Sequence, residues 1–195
     1  MEPITLTELI LPIAIASVAC FIASFLLWAV LPLHNAEIKE LPDQAAFDQA
    51  VGSLALPPGF YMAPCTHDPK VMKSDAFKQR YDAGPWMTVN VMPAKPSMGR
   101  NMALTFAMFA VVSFFVAYLA SATTLGRGAE YLSVFRIVGT AAFMAYAFGG
   151  LGHAIWFGKP ARAFATEFVD TLVYTGITAG IFAAMWPGAP TTPAG

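Results

Sequence analysis

The stretch that decides the fold is residues 163–187, AFATEFVDTLVYTGITAGIFAAMWP. A helix needs about 20 predominantly apolar residues to cross the hydrocarbon core of a bilayer, and this stretch is long enough and apolar enough. It nevertheless carries two acidic residues, Glu167 and Asp170. A carboxyl group inside a membrane is costly, so it is expected to face protein or a wet cavity and to serve a purpose there.

The composition places the whole chain in the membrane class. Of its 195 residues, 57% are hydrophobic and 12% are charged, with a mean hydropathy of +0.59. A soluble domain has about 25% charged residues. The net charge of −1 gives no electrostatic basis for a nucleic-acid partner. The two cysteines, Cys20 in an apolar run and Cys65 in a polar segment, provide no disulfide framework.

Four transmembrane helices are predicted from the apolar runs. They lie in residues 1–33, 102–122, 132–157 and 163–187. The first run begins near Glu2 and Glu8 and is longer than the apolar core of a signal peptide, which has about 7–15 residues, so we expect it to be retained. We expect the last residues, 188–195, to form a disordered tail.

The polar segment 34–101 is predicted to form a small α+β cap between the first and second membrane helices. A proline opens a helix over 42–54, and Ser74 or Asp75 caps a second helix that runs through Asp82. Two short strands, over 60–63 and 86–92, are able to pair. The segment is too small to build a large core of its own.

The distribution of basic residues predicts the orientation. Four spans place both termini on one side of the membrane. The other side holds five basic residues near helix ends, Lys39, Lys95, Arg100, Lys159 and Arg162, against Arg127 and Arg136 opposite. Because basic residues favour the cytoplasm, the cap is predicted to be cytoplasmic and both termini to lie across the membrane. The predicted fold class is an all-α membrane protein with four transmembrane helices and a small α+β cytoplasmic cap.

Short motifs in and around the cap carry a resemblance to a known family. These are His34, Leu41-Pro42-Asp43, Pro58-Gly59-Phe60-Tyr61 with Pro64, Gly84-Pro85, Pro96-Ser97-Met98-Gly99 and Val116-Ala117-Tyr118. On these motifs, residues 30–120 resemble a family of uncharacterised bacterial inner-membrane proteins with one N-terminal span, a small polar cap and further spans. Relatives tend to carry a histidine or basic residue beside His34, where this chain has Asn35. The resemblance implies a bacterial inner membrane and brings no activity.

The third and fourth spans predict an intramembrane polar cluster. An antiparallel hairpin that turns near 158–162 places His153 level with Glu167 and Tyr146 level with Tyr174. On the fourth span, Glu167, Asp170 and Tyr174 share one helix face. We therefore expect His153, Glu167, Asp170 and Tyr174 to form one cluster.

Three interpretations of this cluster stay open. It is a hydrogen-bonded group that stabilises the bundle, a pathway for protons or ions, or a metal site. His34 ends the first span on the same side of the membrane, and the candidate metal ligands are therefore His34, His153, Glu167 and Asp170. Imidazole with carboxylates suits Zn, Fe or Mn. The sequence identifies no cofactor.

The sequence favours a non-enzymatic role. It contains no nucleotide-binding glycine loop, nucleophile elbow or catalytic triad. The first hypothesis is an accessory or assembly subunit whose partners are the lipid bilayer and other membrane subunits or further copies of itself. The alternatives are a small oligomeric transporter or proton-conducting protein and a membrane metal-binding or redox protein. Arg136, near one end of its span, is expected to extend to the surface or to pair with Glu130 or a partner subunit.

Overall fold

Three helices in the computed structural model, which describes residues 4–188, are long and apolar enough to cross a membrane. They are Leu6–Val30, Met98–Ser121 and Tyr131–Trp156. Only 22–28% of their residues are buried within the protein, so most of their apolar side chains point outward, as in helices surrounded by lipid. The predicted tail lies outside the described residues from 189 onward.

The first of these helices has a regular centre and two irregular ends. Its α-helical part, α1, spans Ile10–Phe25, after a 3₁₀ turn over Leu6–Leu9 and before a π turn over Leu26–Val30. In the π turn, the Leu31 N–H donates to the carbonyl of Leu26 at 2.9 Å. The helix ends there because Leu31 is extended and Pro32 has no N–H to continue the ladder.

Residues 40–97 form a compact unit of their own, and the other unit contains residues 1–39 and the chain from 98 onward. The smaller unit contains α2 Gln44–Ser53, β1 Gly59–Ala63, α3 Pro69–Lys73, α4 Asp75–Ala83 and β2 Met87–Val91. The predicted strand pairing is confirmed, since β1 and β2 are antiparallel from Gly59↔Val91 to Ala63↔Met87. The predicted cap is wider than this unit, 34–101.

Local capping explains the helices of the smaller unit. The Asp43 carboxylate accepts the N–H of Ala46 at 2.9 Å and starts α2, and the Ser74 hydroxyl accepts the N–H of Phe77 at 3.2 Å and starts α4. Helix α3 was not predicted. Asp68 caps it, and a proline stands in its first turn.

The smaller unit buries very little apolar surface. Within residues 40–97, all of which the structure describes, Pro64 is the one buried residue. Tyr61 and Phe77 are half-buried. Most of the unit's large apolar side chains are exposed, including Leu54, Phe60, Met62, Val71, Met72, Trp86, Met87 and Met92. Secondary structure in this unit is therefore not accompanied by an apolar core.

The larger unit continues with α5 Met98–Ser121, α6 Tyr131–Phe148, α7 Leu151–Trp156 and α8 Ala161–Ala184. The helix predicted over 132–157 corresponds to Tyr131–Trp156. Its α-helical hydrogen bonding is interrupted at Gly149-Gly150, between α6 and α7, while both glycines keep near-helical backbone angles. Adjacent glycines favour such a break through their low helix propensity. The fourth predicted span, 163–187, forms α8, which has 24 residues but is not among the three helices apolar enough to cross a membrane.

Helices α1, α5, α6 and α8 pack around a shared apolar core. The largest side chains that are fully or almost fully buried there include Leu9, Val116, Val134, Val138, Phe182 and Trp186. The most extensive helix pair is α6 with α8. A Cβ added at Gly139 of α6 would lie 3.4 Å from the Cβ of Ala179, so a glycine lets these two helices approach closely.

Candidate functional site

A buried polar cluster lies where the end of the first helix and the turn after it meet α8. Its members are Trp28, His34, Glu37, Thr166 and Asp170. His34 is 4% exposed and Asp170 is 5% exposed. Burying charged groups costs free energy unless they are paired and hydrogen-bonded, so the partners of each group determine whether the cluster is stable.

Asp170 is contacted by two groups from the N-terminal part of the chain. The indole Nε1–H of Trp28 donates to its Oδ2 at 2.8 Å. The Nε2 of His34 lies 3.2 Å from Oδ2 and 3.4 Å from Oδ1. The carboxylate on α8 is therefore held by the end of the first helix and by the turn that follows it.

The imidazole of His34 stands between two carboxyl groups. Its Nδ1 is 2.7 Å from Oε1 of Glu37, and its Nε2 faces Asp170. A protonated imidazole donates to both carboxylates at once, whereas a neutral one has a single N–H, so that one carboxyl must then carry the proton. The imidazole therefore links the two carboxyl groups through both of its ring nitrogens.

The ring of Trp28 covers the imidazole of His34. The two rings are stacked with centroids 3.8 Å apart and an interplanar angle of 8°. The stacked indole shields one face of the imidazole and fixes the orientation of its ring. Trp28 thus acts on both members of the His34–Asp170 pair, through its face on one and its N–H on the other.

A second contact joins α8 to the same turn. The Thr166 hydroxyl donates to Oε1 of Glu37, whose side chain is 9% exposed. Thr166 and Asp170 are four residues apart and so share a face of α8. The helix therefore holds the turn at two points, one helical turn apart.

The π turn sets the geometry at the end of the first helix. Residues 26–30 hold one more residue per turn than an α-helix, which changes the direction in which Trp28 and the following residues leave the axis. The Glu37 N–H then donates to the carbonyl of His34 at 3.0 Å and closes the turn. Turns of this π type occur frequently at functional sites.

Aromatic packing closes the cluster on its interior side. Tyr174, one helical turn beyond Asp170, packs against Phe109 with ring centroids 5.1 Å apart and against Tyr146 at 5.6 Å. The predicted level match of Tyr146 and Tyr174 is confirmed. Deeper still, the thiol of Cys20 lies 3.5 Å from the Thr178 hydroxyl.

The structure divides the residues that the sequence assigns to one cluster. Asp170 and Tyr174 are buried, whereas Glu167 is partly exposed and pairs with Lys159 of the preceding turn. His153 is exposed on α7, with its ring centroid 4.5 Å from that of Phe157. The regular hydrogen bonding of the helix is interrupted at Gly149-Gly150, between Tyr146 and His153. The place of His153 in the cluster stays a prediction.

The metal interpretation draws on His34, His153, Glu167 and Asp170. Among residues 4–188, no group of three or more His, Cys, Asp or Glu side chains could hold a metal ion. The described cluster instead pairs each carboxylate with donors from the protein. The contacts observed in the cluster are hydrogen bonds and ion pairs.

Sequence reasoning missed Trp28, Glu37 and Thr166. Two of them had a signal in their spacing, because Glu37 follows His34 by three residues and Thr166 precedes Asp170 by four. Trp28 had none, since aromatic residues are common at the ends of membrane helices.

Comparison with known proteins gives no relative from which a function is transferred. No protein-family profile, curated protein or solved structure matches this chain. The function is therefore argued from the polar cluster and from the surface of the smaller unit.

Proposed function

We propose that this protein is a non-enzymatic, polytopic membrane protein that serves as an accessory or assembly subunit of a membrane complex. The observation that carries the proposal is the surface of residues 40–97. This unit has ordered helices and a strand pair, yet most of its large apolar side chains are exposed. Apolar surface of this kind marks a site of contact with another protein.

The strand pair supplies the best-defined part of that surface. Phe60 is 48% exposed and Met62 is 49% exposed, and both point to the same face because strand residues alternate. Trp86, just before β2, is 64% exposed. A partner subunit that covers these side chains would supply the apolar burial that the unit lacks.

The buried cluster supports a structural role for the helices. Both carboxylates are paired within the protein, and the imidazole between them is almost completely enclosed. Such a network joins α8 to the end of the first helix and to the turn after it. Its groups are occupied by one another, as expected of a cluster that stabilises a bundle.

The same pairing supports α8 as a fourth membrane helix. Asp170 would be costly in lipid if unpaired, but Trp28 and His34 both bind it. Four spans, together with the basic residues near the helix ends, favour a cap in the cytoplasm and both termini across the membrane. The family resemblance favours the inner membrane of a bacterium.

Purification in a mild detergent tests this function. The chain is expected to migrate on native gels with a stoichiometric companion at a mass well above its 20.8 kDa. The double variant Phe60→Ser, Met62→Ser is expected to lose the companion while its thermal stability stays unchanged. Lys78→Ser, at an exposed position on α4, is the matched control and should keep it. A strictly monomeric wild-type chain with no companion contradicts the proposal.

Proton or ion transport is the second candidate, and the imidazole between two carboxyl groups favours it. His34, Glu37 and Asp170 form a chain along which a proton can pass. The aromatic packing at Tyr174 beyond Asp170 argues against a continuous wet path. Purified protein in liposomes would support this candidate only if its proton flux exceeds that of Asp170→Asn.

A further inference from the structure

We propose that Arg136 and the groove beside it bind an anionic phospholipid, with the lipid phosphate on the guanidinium and an acyl chain along α6. Arg136 lies on a helix that is long and apolar enough to cross a membrane. It is five residues beyond Tyr131, the first residue of α6, or roughly 8 Å along the axis. From that depth a long side chain reaches the level of the lipid headgroups.

The guanidinium of Arg136 needs an anionic partner, and residues 4–188 do not provide one. Arg127 pairs with Glu8 and Lys159 pairs with Glu167. Among residues 4–188, no carboxylate forms an ion pair with Arg136, and Glu130 is not joined to it. A cation at this depth is stabilised by an anion from its surroundings, and the phosphate of a membrane lipid is the most abundant one.

A groove of about 580 Å³ adjoins the arginine. Beside Arg136 it is lined by Leu119, Ser133, Ile137, Thr140, Ala141 and Met144. Most of these residues recur on α6 at intervals of three and four, so they form one face of the helix. Met144 is eight residues beyond Arg136, roughly 12 Å deeper in the membrane.

The order of the lining residues matches the order of groups in a phospholipid. The cation and the Ser133 hydroxyl lie at the end near the helix start, and Ile137, Ala141 and Met144 follow toward the centre. The Thr140 hydroxyl is used internally, since it donates to the carbonyl of Arg136 at 2.7 Å. A second groove of about 370 Å³ lies on the other side of Arg136, with Phe135 and Phe143 in its lining.

An anionic headgroup fits better than a zwitterionic one. In a zwitterionic lipid the ammonium group of the headgroup offsets the phosphate, whereas an anionic lipid brings a net negative charge to the guanidinium. The apolar floor of the groove distinguishes a lipid from free phosphate, which has no part to bury there. We therefore expect both the charge and the acyl chain to contribute to binding.

Native mass spectrometry of the detergent-purified full-length chain tests the site. Phosphatidylglycerol and phosphatidylcholine with identical acyl chains are titrated separately, and the ratio of their dissociation constants is measured. One basic residue near a membrane surface contributes about a fivefold preference for an anionic lipid. Arg136→Gln is expected to lose this preference, and Arg136→Lys is expected to keep most of it.

Two controls accompany this measurement. One tests whether any arginine near a helix end gives the same preference, and the other tests whether the phosphate binds without the acyl chain. Arg162→Gln removes an arginine near the end of another long helix but outside both grooves, and it should leave the preference unchanged. Glycerol phosphate at the same concentration should not displace the lipid, because it has no acyl chain.

Three results would overturn the proposal. The first is an equal preference in wild type and Arg136→Gln, and the second is full competition by glycerol phosphate. The third is a dimer that Arg136→Gln converts to a monomer without any change in lipid preference, since a second copy would then supply the anion.

Discussion

Asp170 is accommodated inside a helical bundle because donors from another part of the chain surround it. Trp28 and His34 each contact its carboxylate, and His34 is in turn held by Glu37. Removing the carboxylate would leave the buried imidazole of His34 and the indole N–H of the partly exposed Trp28 without their acceptor. The cost of such a change is the desolvation of those groups, which exceeds the net value of the bonds themselves.

We predict that Asp170→Leu lowers the free energy of unfolding by about 3 kcal/mol, as expected when one partner of a buried pair is removed. Asp170→Asn should cost less, because the amide oxygen still accepts the N–H of Trp28. The measurement is unfolding of purified protein in mixed micelles by increasing SDS.

The matched control is Glu167→Gln, one helical turn away on the same helix. The Glu167 side chain is 42% exposed and pairs with the partly exposed Lys159. An exposed pair contributes at most about 1 kcal/mol, so this variant should be close to wild type. If Glu167→Gln costs as much as Asp170→Leu, the division between a buried and an exposed carboxylate is wrong.

The sequence indicated which of these residues are chemically unusual but not how they meet. Asp170 was conspicuous because it is an acid in an apolar stretch, and His34 because it ends one. Their contact depends on the π turn over Leu26–Val30 and on the direction of the chain after Pro32. Neither follows from hydrophobic periodicity, since that periodicity specifies a helix and not an extra residue within one of its turns.

The antiparallel pairing of α6 with α8 was predictable from sequence. The position at which regular α6 ends was not. Residues equally distant from a short turn lie at the same level, which explains the contact of Tyr146 with Tyr174. The interruption of the helix at Gly149 and Gly150, between α6 and α7, was not predicted. A run of apolar residues continues across that break, so composition alone suggests one helix.

The close approach of α6 and α8 makes Gly139 sensitive to side-chain size. A Cβ there meets Ala179 at 3.4 Å, which is ordinary contact, but anything larger would overlap α8. We predict that Gly139→Ala changes the free energy of unfolding by less than about 1 kcal/mol and that Gly139→Leu lowers it by about 2 kcal/mol through overpacking. SDS unfolding of each variant measures both values.

A glycine on the facing helix provides the control for this comparison. A Cβ at Gly176 of α8 meets nothing within 4 Å. Gly176→Leu should therefore be tolerated, and it should gain slightly from the higher helix propensity of leucine. Equal losses from Gly139→Leu and Gly176→Leu would show that helix packing is not the cause.

At the scale of the whole molecule, different interactions stabilise the two units. The larger unit buries a continuous set of apolar side chains between long helices. In residues 40–97, local signals define the elements: Asp43 and Ser74 cap α2 and α4, and short strand-forming runs give β1 and β2. Signals of this local kind made most of the elements predictable, although the sequence started the first helix with Pro42, one residue before its cap. These local signals do not identify the partner that would cover the exposed apolar side chains of this unit.

We predict that residues 40–97, produced as a separate fragment, have secondary structure but do not unfold cooperatively. A cooperative transition requires substantial burial of apolar surface, and this unit buries only Pro64. Far-ultraviolet circular dichroism should show helix and strand, whereas the near-ultraviolet signal of Trp86 should be weak and its thermal transition broad. In the isolated full-length chain, amide exchange in β1 should be fast for the same reason, and it should slow when a companion subunit covers Phe60 and Met62. A sharp transition of the fragment alone would show that the unit is self-sufficient, and the exposed side chains would then no longer argue for a partner.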